Sequence, residues 1–570
     1  MRGWGSALIG GFRSPLADLR RLADRSVLRR DLSAGVVLGL ESVPDGLARG
    51  VLVGAAPLSG LYGYLFGMVA AALVTATPLV VVQATGALAI IVADVDLARF
   101  GDPARSLCTL TVLTGVVLAL GGLLRVGRLL RFISTAVLTG FVTAVGVNIV
   151  LSQLGTITGV DLGEGNRVEQ LVRLLIDPGR IDPASIAVGL VTVGLVVVLS
   201  RSRLGSLGMV VAVVAGSGLA AVLGGLGHPV ELLADVVEVP RALPGPVLPA
   251  IDESLRLLLP AVSLAFVGAV QGAAVSASVA RRADGSPKPS QDIVGQGVGN
   301  IVAGVLQGMP VGGSASASSL AATSGGRTRA VPLTAGVVMV LVIVLLGGLV
   351  GLIAMPALSG LLVVVGAAAI RPAQIASLAR VGLVQLTVLV MTFVLTMLVP
   401  LQYAVLVGVG VSIVLHVVRQ SGRLVLVQAH LGRRGQVRES EPVTEVAPGD
   451  VVVLQPYGSI FFASAAALEA RLPAVTPNSR GSVVILRLRG VDDVGATFTD
   501  VVDRYATALR AAGSRLVLVV NSSRLFGQLR VTGVLEVLGE ENIYRGNEWV
   551  GRALRRVHRD ARAWVTERSR

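Results

Sequence analysis

The sequence predicts an all-α polytopic membrane domain of about fourteen spans, followed by a small cytoplasmic α/β domain. Three observations predict it. The 570-residue chain is 53% hydrophobic and 15% charged, with a mean hydropathy of +0.78. From Asp31 to Gln420 it divides into apolar segments near the ~20 residues that a helix needs to cross a bilayer. After Gln420 the composition turns polar, and strand-like runs then alternate with amphipathic stretches.

The expected spans are, in order, 34–53, 58–77, 82–95, 107–124, 134–154, 186–200, 207–223, 255–280, 293–306, 311–326, 333–353, 357–370, 383–399 and 401–418. Positive residues test this partition, because cytoplasmic loops carry the Lys/Arg excess. Loops after even-numbered spans hold Arg125, Arg128 and Arg131, then Arg201 and Arg203, then Arg281, Arg282 and Lys288, then Arg327 and Arg329, then Arg371 and Arg380. Loops after odd-numbered spans hold most of the acids, such as Asp161, Glu164, Glu169, Asp177 and Asp182 in one, and Glu231, Asp235, Glu238, Asp252 and Glu253 in another. An even number of spans with both termini in the cytoplasm satisfies this alternation, and an inner (plasma) membrane location follows. Residues 1–30 carry Arg2, Arg13, Arg20, Arg21, Arg25, Arg29 and Arg30 without the small-residue cleavage site of a secretory signal, so they read as a retained cytoplasmic segment. The net charge of +14 therefore reflects topology, and no nucleic acid partner is expected. The single Cys108 excludes an internal disulfide, and the four histidines lack metal-ligand spacing, so no metal or cofactor is expected.

Residues 31–420 are thus the transport domain and 421–448 a linker, with the α/β domain at 449–570. Its strands are expected at 451–454, 483–488 and 516–520, and its helices around 465–472 and 499–512.

Two apolar stretches in matching places, 82–95 and 311–326, are short and interrupted by Gly, Ser and Thr. Inside a bilayer an unwound backbone is tolerated where it lines a cavity, so paired interruptions point to a substrate site between inverted repeats. The residues concerned are Gln83, Thr85, Gly86 and Ala87, with Ser314, Ala315, Ser316, Ala317 and Ser318. Small side chains let two half-helices approach end to end, and their N-terminal amides hold an anion without a formal cation. The plainer reading is close helix packing through small residues. In the first span Asp45 is flanked at four residues by Glu41 and Arg49. An intramembrane carboxylate costs about 3 kcal/mol or more, which makes Asp45 a candidate for coupling to protons or sodium. The alternative is a neutralising Asp45–Arg49 pair.

Several segments resemble the SulP anion transporters, the sulfate permease group. They are Asp31-Leu-Ser-Ala-Gly-Val-Val, Val43-Pro-Asp-Gly-Leu-Ala and Pro57-Leu-Ser-Gly-Leu-Tyr-Gly, then Ser290-Gln-Asp-Ile-Val-Gly-Gln-Gly-Val-Gly-Asn, Pro310-Val-Gly-Gly-Ser-Ala-Ser and Ser324-Gly-Gly-Arg-Thr. Val531-Thr-Gly-Val-Leu-Glu-Val-Leu-Gly-Glu-Glu-Asn-Ile-Tyr resembles the close of a STAS domain, the module that follows the membrane domain in that family. The resemblance implies a seven-plus-seven inverted repeat with core and gate domains, elevator-like alternating access, anion substrates such as sulfate, bicarbonate or a dicarboxylate, and a homodimer. The chain departs from the family pattern in informative places. Ala87 stands where many relatives have Pro, and Ala317 where many have Arg. Gln271 occupies the eighth-span position that is usually a carboxylate associated with ion coupling, while Asp45 stands where relatives commonly have Gln. The coupling acid therefore moves to the first span, and Arg49 is available to replace the positive charge absent at Ala317. In the STAS-like part Gly495 replaces the Asp before the modified hydroxyl, so Thr497 reads as an N-cap for 498–509 and not as a phosphorylation site.

The leading expectation is a secondary active transporter of small anions. Against it stand an uncoupled facilitator, a nucleobase transporter of related fold, and a non-transporting sensor that signals through its STAS domain. An enzyme is not expected, because no nucleophile–base pair or phosphate loop occurs.

Overall fold

The first helix, α1 (Arg25–Val53), is 29 residues long, about 43 Å at the α-helical rise and enough to cross a bilayer. The computed structural model describes residues 24–568, apart from 55–56, 126–133, 164–166, 203, 206, 238–241, 251, 283–287, most of 400–423, 433–435, 459, 461, 492–493 and 547–551. The chain divides into two units, Met1–Ser412 and Ile413–Arg570.

In the first unit, seven described helices are long and apolar enough to span a membrane, from Pro103–Leu123 to Met355–Val381. α1 is not among them, because its middle carries Glu41, Asp45 and Arg49. The third expected span becomes a two-residue strand β1 (Val82–Gln83) and a half-helix α2 (Gly86–Ala93). α3 (Pro103–Leu123) follows, and then, further along the chain, α4 (Ser254–Arg282) and α5 (Pro289–Val305). The tenth expected span is likewise β2 (Gly312–Gly313) with the half-helix α6 (Ala315–Thr323), and α7 (Ala330–Val350) comes next. Two amphipathic helices, Arg167–Ile176 and Pro372–Val381, lie in segments that hydropathy alone leaves as loops. The fourteenth expected span, 401–418, falls mostly outside the described residues.

Glycine sets the close approaches. A Cβ on Gly115 of α3 would lie 2.7 Å from the Gly297 carbonyl of α5, and one on Gly60 would lie 2.0 Å from the Gly46 carbonyl of α1. Small residues at such crossings give van der Waals contact that lipid cannot replace.

The second unit is a six-stranded mixed sheet of β3 (Val425–Leu431), β4 (Val437–Ser440), β5 (Val451–Tyr457), β6 (Val483–Leu488), β7 (Arg515–Val520) and β8 (Ile543–Arg545), in the order β4-β3-β5-β6-β7-β8. β5 to β8 run parallel, and β3 pairs antiparallel with β4 and β5. Parallel strands are covered on both faces, and every residue of β6 is buried. One face packs Leu454, Leu486 and Leu518 against α8 (Phe462–Glu469) and α9 (Ala496–Ala511), and the other packs Val453, Ile485 and Val519 against α10 (Arg552–Arg568). Two sequence expectations need correction. Residues 421–448 are not simply a linker, because β3 and β4 lie there; Gln428 and His430 disguise β3 as a polar stretch, although Gln428 turns inward and accepts from the Val443 amide at 3.0 Å. Thr497 does not cap α9: Gly495 is the N-cap, with no side-chain bond, and Thr497 is exposed one position into the first turn after Ala496.

Candidate substrate site between two half-helices

Residues 41–50 of α1 are all buried, although they include Glu41, Asp45 and Arg49 at the four-residue spacing of one helix face. Arg49 clasps Asp45, with Nη2 3.1 and 3.2 Å from the two carboxylate oxygens and Nε 3.3 Å from Oδ1. The Tyr64 hydroxyl lies between Asp45 Oδ2 and the Ala84 carbonyl, the latter 3.0 Å away. Tyr64 sits in a π-helical turn, Gly63–Gly67, of the kind that often marks functional positions. This turn ties the first-span charges to the backbone between β1 and α2. The Oε2 atom of Glu41 is buried and, among the described residues, has no hydrogen-bond partner.

β1 and β2 pair antiparallel, with Val82 opposite Gly313 and Gln83 opposite Gly312, so α2 and α6 leave the crossing in opposite directions with their N-termini toward it. Thr85 caps α2 by accepting from the Leu88 amide, and Ser314 caps α6 by accepting from the Ala317 amide. The first intrahelical bonds are made by the amides of Ala89 and Ser318. The amides of Gly86, Ala87, Ala315 and Ser316 therefore precede any partner within their helices, and each helix end carries partial positive charge.

Gln271 of α4 joins the two ends. Its Oε1 accepts from the Thr85 hydroxyl at 2.9 Å and would lie 3.6 Å from a Cβ on Gly312. Arg49 reaches the same place, because its Nη1 would lie 3.0 Å from a Cβ on Gly86. Nη1 donates to no described residue.

A match to the sulfate permease family model covers residues 28–421, and one to the STAS domain covers 441–547. The chain belongs to the sulfate permease family. A probable sulfate transporter of Mycobacterium tuberculosis is 27% identical over 537 residues, covering 91% of this chain and 94% of that one. A bicarbonate transporter of Picosynechococcus is 27% identical over 409 residues, 69% of this chain and 71% of its own. The fold is that of the SLC26A9 structure, with a TM-score of 0.84 at 18% identity over 98% of this chain and 94% of that one. The protein is accordingly a multi-pass membrane transporter with a helical transmembrane domain and a C-terminal STAS domain, and not an enzyme.

Within this sulfate permease fold the sequence-predicted residues divide into two groups. Thr85 and Gln271 are half-buried, and Ala315 and Ser316 are exposed, so these four border open space. Gln83, Gly86, Ala87, Ser314, Ala317 and Ser318 are buried. Gln83 donates to Ser42 Oγ at 2.7 Å, and Ser318 Oγ accepts from the Val81 amide at 2.9 Å, so both brace the strands. Asp45 and Glu41 lie in the first-span cluster described above.

Sequence reasoning missed Tyr64 and the framing residues of α5. Asp292 accepts from the Ala76 and Thr77 amides at 2.8 and 2.9 Å and from the Thr77 and Ser276 hydroxyls at 2.7 and 2.6 Å. Gln296 Oε1 accepts from the Gly313 amide at 3.1 Å, and Asn300 bonds both the amide and the carbonyl of Val311. The signal was present: Asp292, Gln296 and Asn300 follow one another at four-residue spacing, a polar stripe on an apolar helix.

Proposed function

We propose that this protein is a secondary active transporter of small anions, with the anion held where α2 and α6 meet. The observation that carries this reading is the antiparallel β1–β2 crossing, which turns two helix N-termini toward one point beside Gln271 and the free Nη1 of Arg49. Half-helix amides and one guanidinium suit an oxyanion, and the relatives named as sulfate and bicarbonate transporters support that substrate class. A small dicarboxylate fits the same chemistry. The coupling ion, a proton or sodium, acts at Asp45 and Glu41, since Gln271 is unable to titrate. Alternating access by elevator-like movement of a core against a gate, a seven-plus-seven inverted repeat, cytoplasmic termini and a homodimer belong to the same proposal.

Uptake of labelled sulfate, bicarbonate and fumarate into proteoliposomes, each challenged with the other two unlabelled, tests the substrate class. Saturable uptake of at least one, inhibited by its competitors, is expected. Flux of none, with anion binding retained, would indicate a sensor instead.

A further inference from the structure

The first helix sets two carboxylates and one guanidinium on one face of a ten-residue stretch, 41–50, in which every residue is buried. Among the described residues, no element packed extensively on α1 brings it another formal charge. The helices packed on α1, namely α2, α6, α7, Leu207–Gly225 and Met355–Ala369, contain no Asp, Glu, His, Lys or Arg, and the segment 59–67 adds only the hydroxyls of Tyr62 and Tyr64 as titratable groups. With both carboxylates ionised, the stretch would hold one uncompensated negative charge, at a cost of about 3 kcal/mol or more. A proton taken up by either carboxylate removes that charge, so the cluster is built to bind and release one. Asp45 has both oxygens on Arg49, and Oδ2 also faces Tyr64, whereas Glu41 Oε2 is buried without a partner.

We propose that Glu41 is the proton carrier of this transporter, that Arg49 is the cation to which the transported anion binds, and that Asp45 holds Arg49 between anions. The proposal rests on the anion-transport reading above. An anion bridging Nη1 of Arg49 and the amides at Gly86 brings a second negative charge beside Glu41. Entry is favoured once Glu41 Oε2 has taken a proton from the aqueous phase, and the proton leaves to water on the other side when the anion does. One proton and one monovalent anion then cross together. The net charge of the site is the same in the empty, ionised form and in the doubly loaded form, and differs from both when a single partner is bound. By linkage the anion raises the proton affinity by the same factor by which the proton raises anion affinity. A sodium ion needs a shell of several oxygens, and the cluster has one buried carboxylate oxygen without a partner.

Infrared difference spectroscopy of the full chain in vesicles, read beside uptake of labelled sulfate, bicarbonate and fumarate, tests this. The expected result at neutral pH is a protonated-carboxyl band that shifts with isotope-labelled glutamate but not with labelled aspartate. It disappears in Glu41→Gln and grows when a transported anion is added. Glu41→Gln should also lose stimulation of uptake by an inward proton gradient. A band that follows labelled aspartate, or gradient stimulation that survives Glu41→Gln, overturns the proposal and leaves anion transport standing. Absence of flux for all three anions overturns the transport reading and with it the role of Arg49, while the glutamate band still decides where the proton sits.

Discussion

The helices of the first and eighth spans are each 29 residues long and each contain an internal proline, Pro44 and Pro260, yet they treat charge in opposite ways. α1 buries Glu41, Asp45 and Arg49 in its middle, whereas α4 meets the same site with the neutral amide of Gln271. The difference teaches a division of labour. A neutral amide can position a ligand at any pH, whereas coupling to a proton needs a group that titrates. The candidate site is lopsided: its formal charges lie in the first span, and the eighth contributes only the amide dipole of Gln271.

Removing the guanidinium breaks this comparison most severely. Arg49→Met leaves Asp45 and Glu41 buried without a counter-charge, and loss of one partner of a buried ion pair costs about 3–5 kcal/mol. A large fall in melting temperature in detergent, together with loss of uptake, is the expected outcome. Next in size is Gly313→Ala, whose Cβ would lie 2.7 Å from Gly272 Cα and would push β2 away from α4. Overpacking of this kind costs about 1–3 kcal/mol. It should lower uptake with a smaller change in melting temperature. Placing an acid in the eighth span, Gln271→Glu, sharpens the comparison. At neutral pH an added carboxylate beside the anion should raise KM about tenfold, equivalent to about 1.4 kcal/mol, with recovery in acid, and a KM series against pH would reveal it. Smallest is Thr497→Ala in the STAS domain, an exposed residue that caps nothing. Its effect on thermal stability should stay within about 0.5 kcal/mol.

Much of the helical membrane domain was legible because apolar runs long enough to cross a bilayer stand out from the sequence. The interrupted stretches around Thr85 and Ser314 were legible for the same reason, since small and hydroxyl residues have no place in a lipid-facing helix. What the sequence hides is pairing across distance. Ala84 and Tyr64 are twenty residues apart, and nothing in their spacing announces that the hydroxyl links the Asp45 cluster to the half-helix. Asp292 was visible as a polar stripe, but its role in holding Ala76 and Thr77 depends on a chain crossing more than two hundred residues away. β3 failed for a different reason: its inward Gln428 serves a backbone amide, so the burial pattern no longer matches the apolar pattern.

The most direct test of the central claim, that coupling resides in the first span, is proteoliposome uptake of labelled sulfate, bicarbonate and fumarate under an imposed inward proton gradient, compared between wild type and Asp45→Asn. Asp45→Asn leaves one carboxylate, Glu41, to balance one guanidinium, so the cluster no longer needs a proton. Gradient-stimulated uptake in the wild type that disappears in the variant is the expected result. Stimulation that survives in Asp45→Asn would contradict the account.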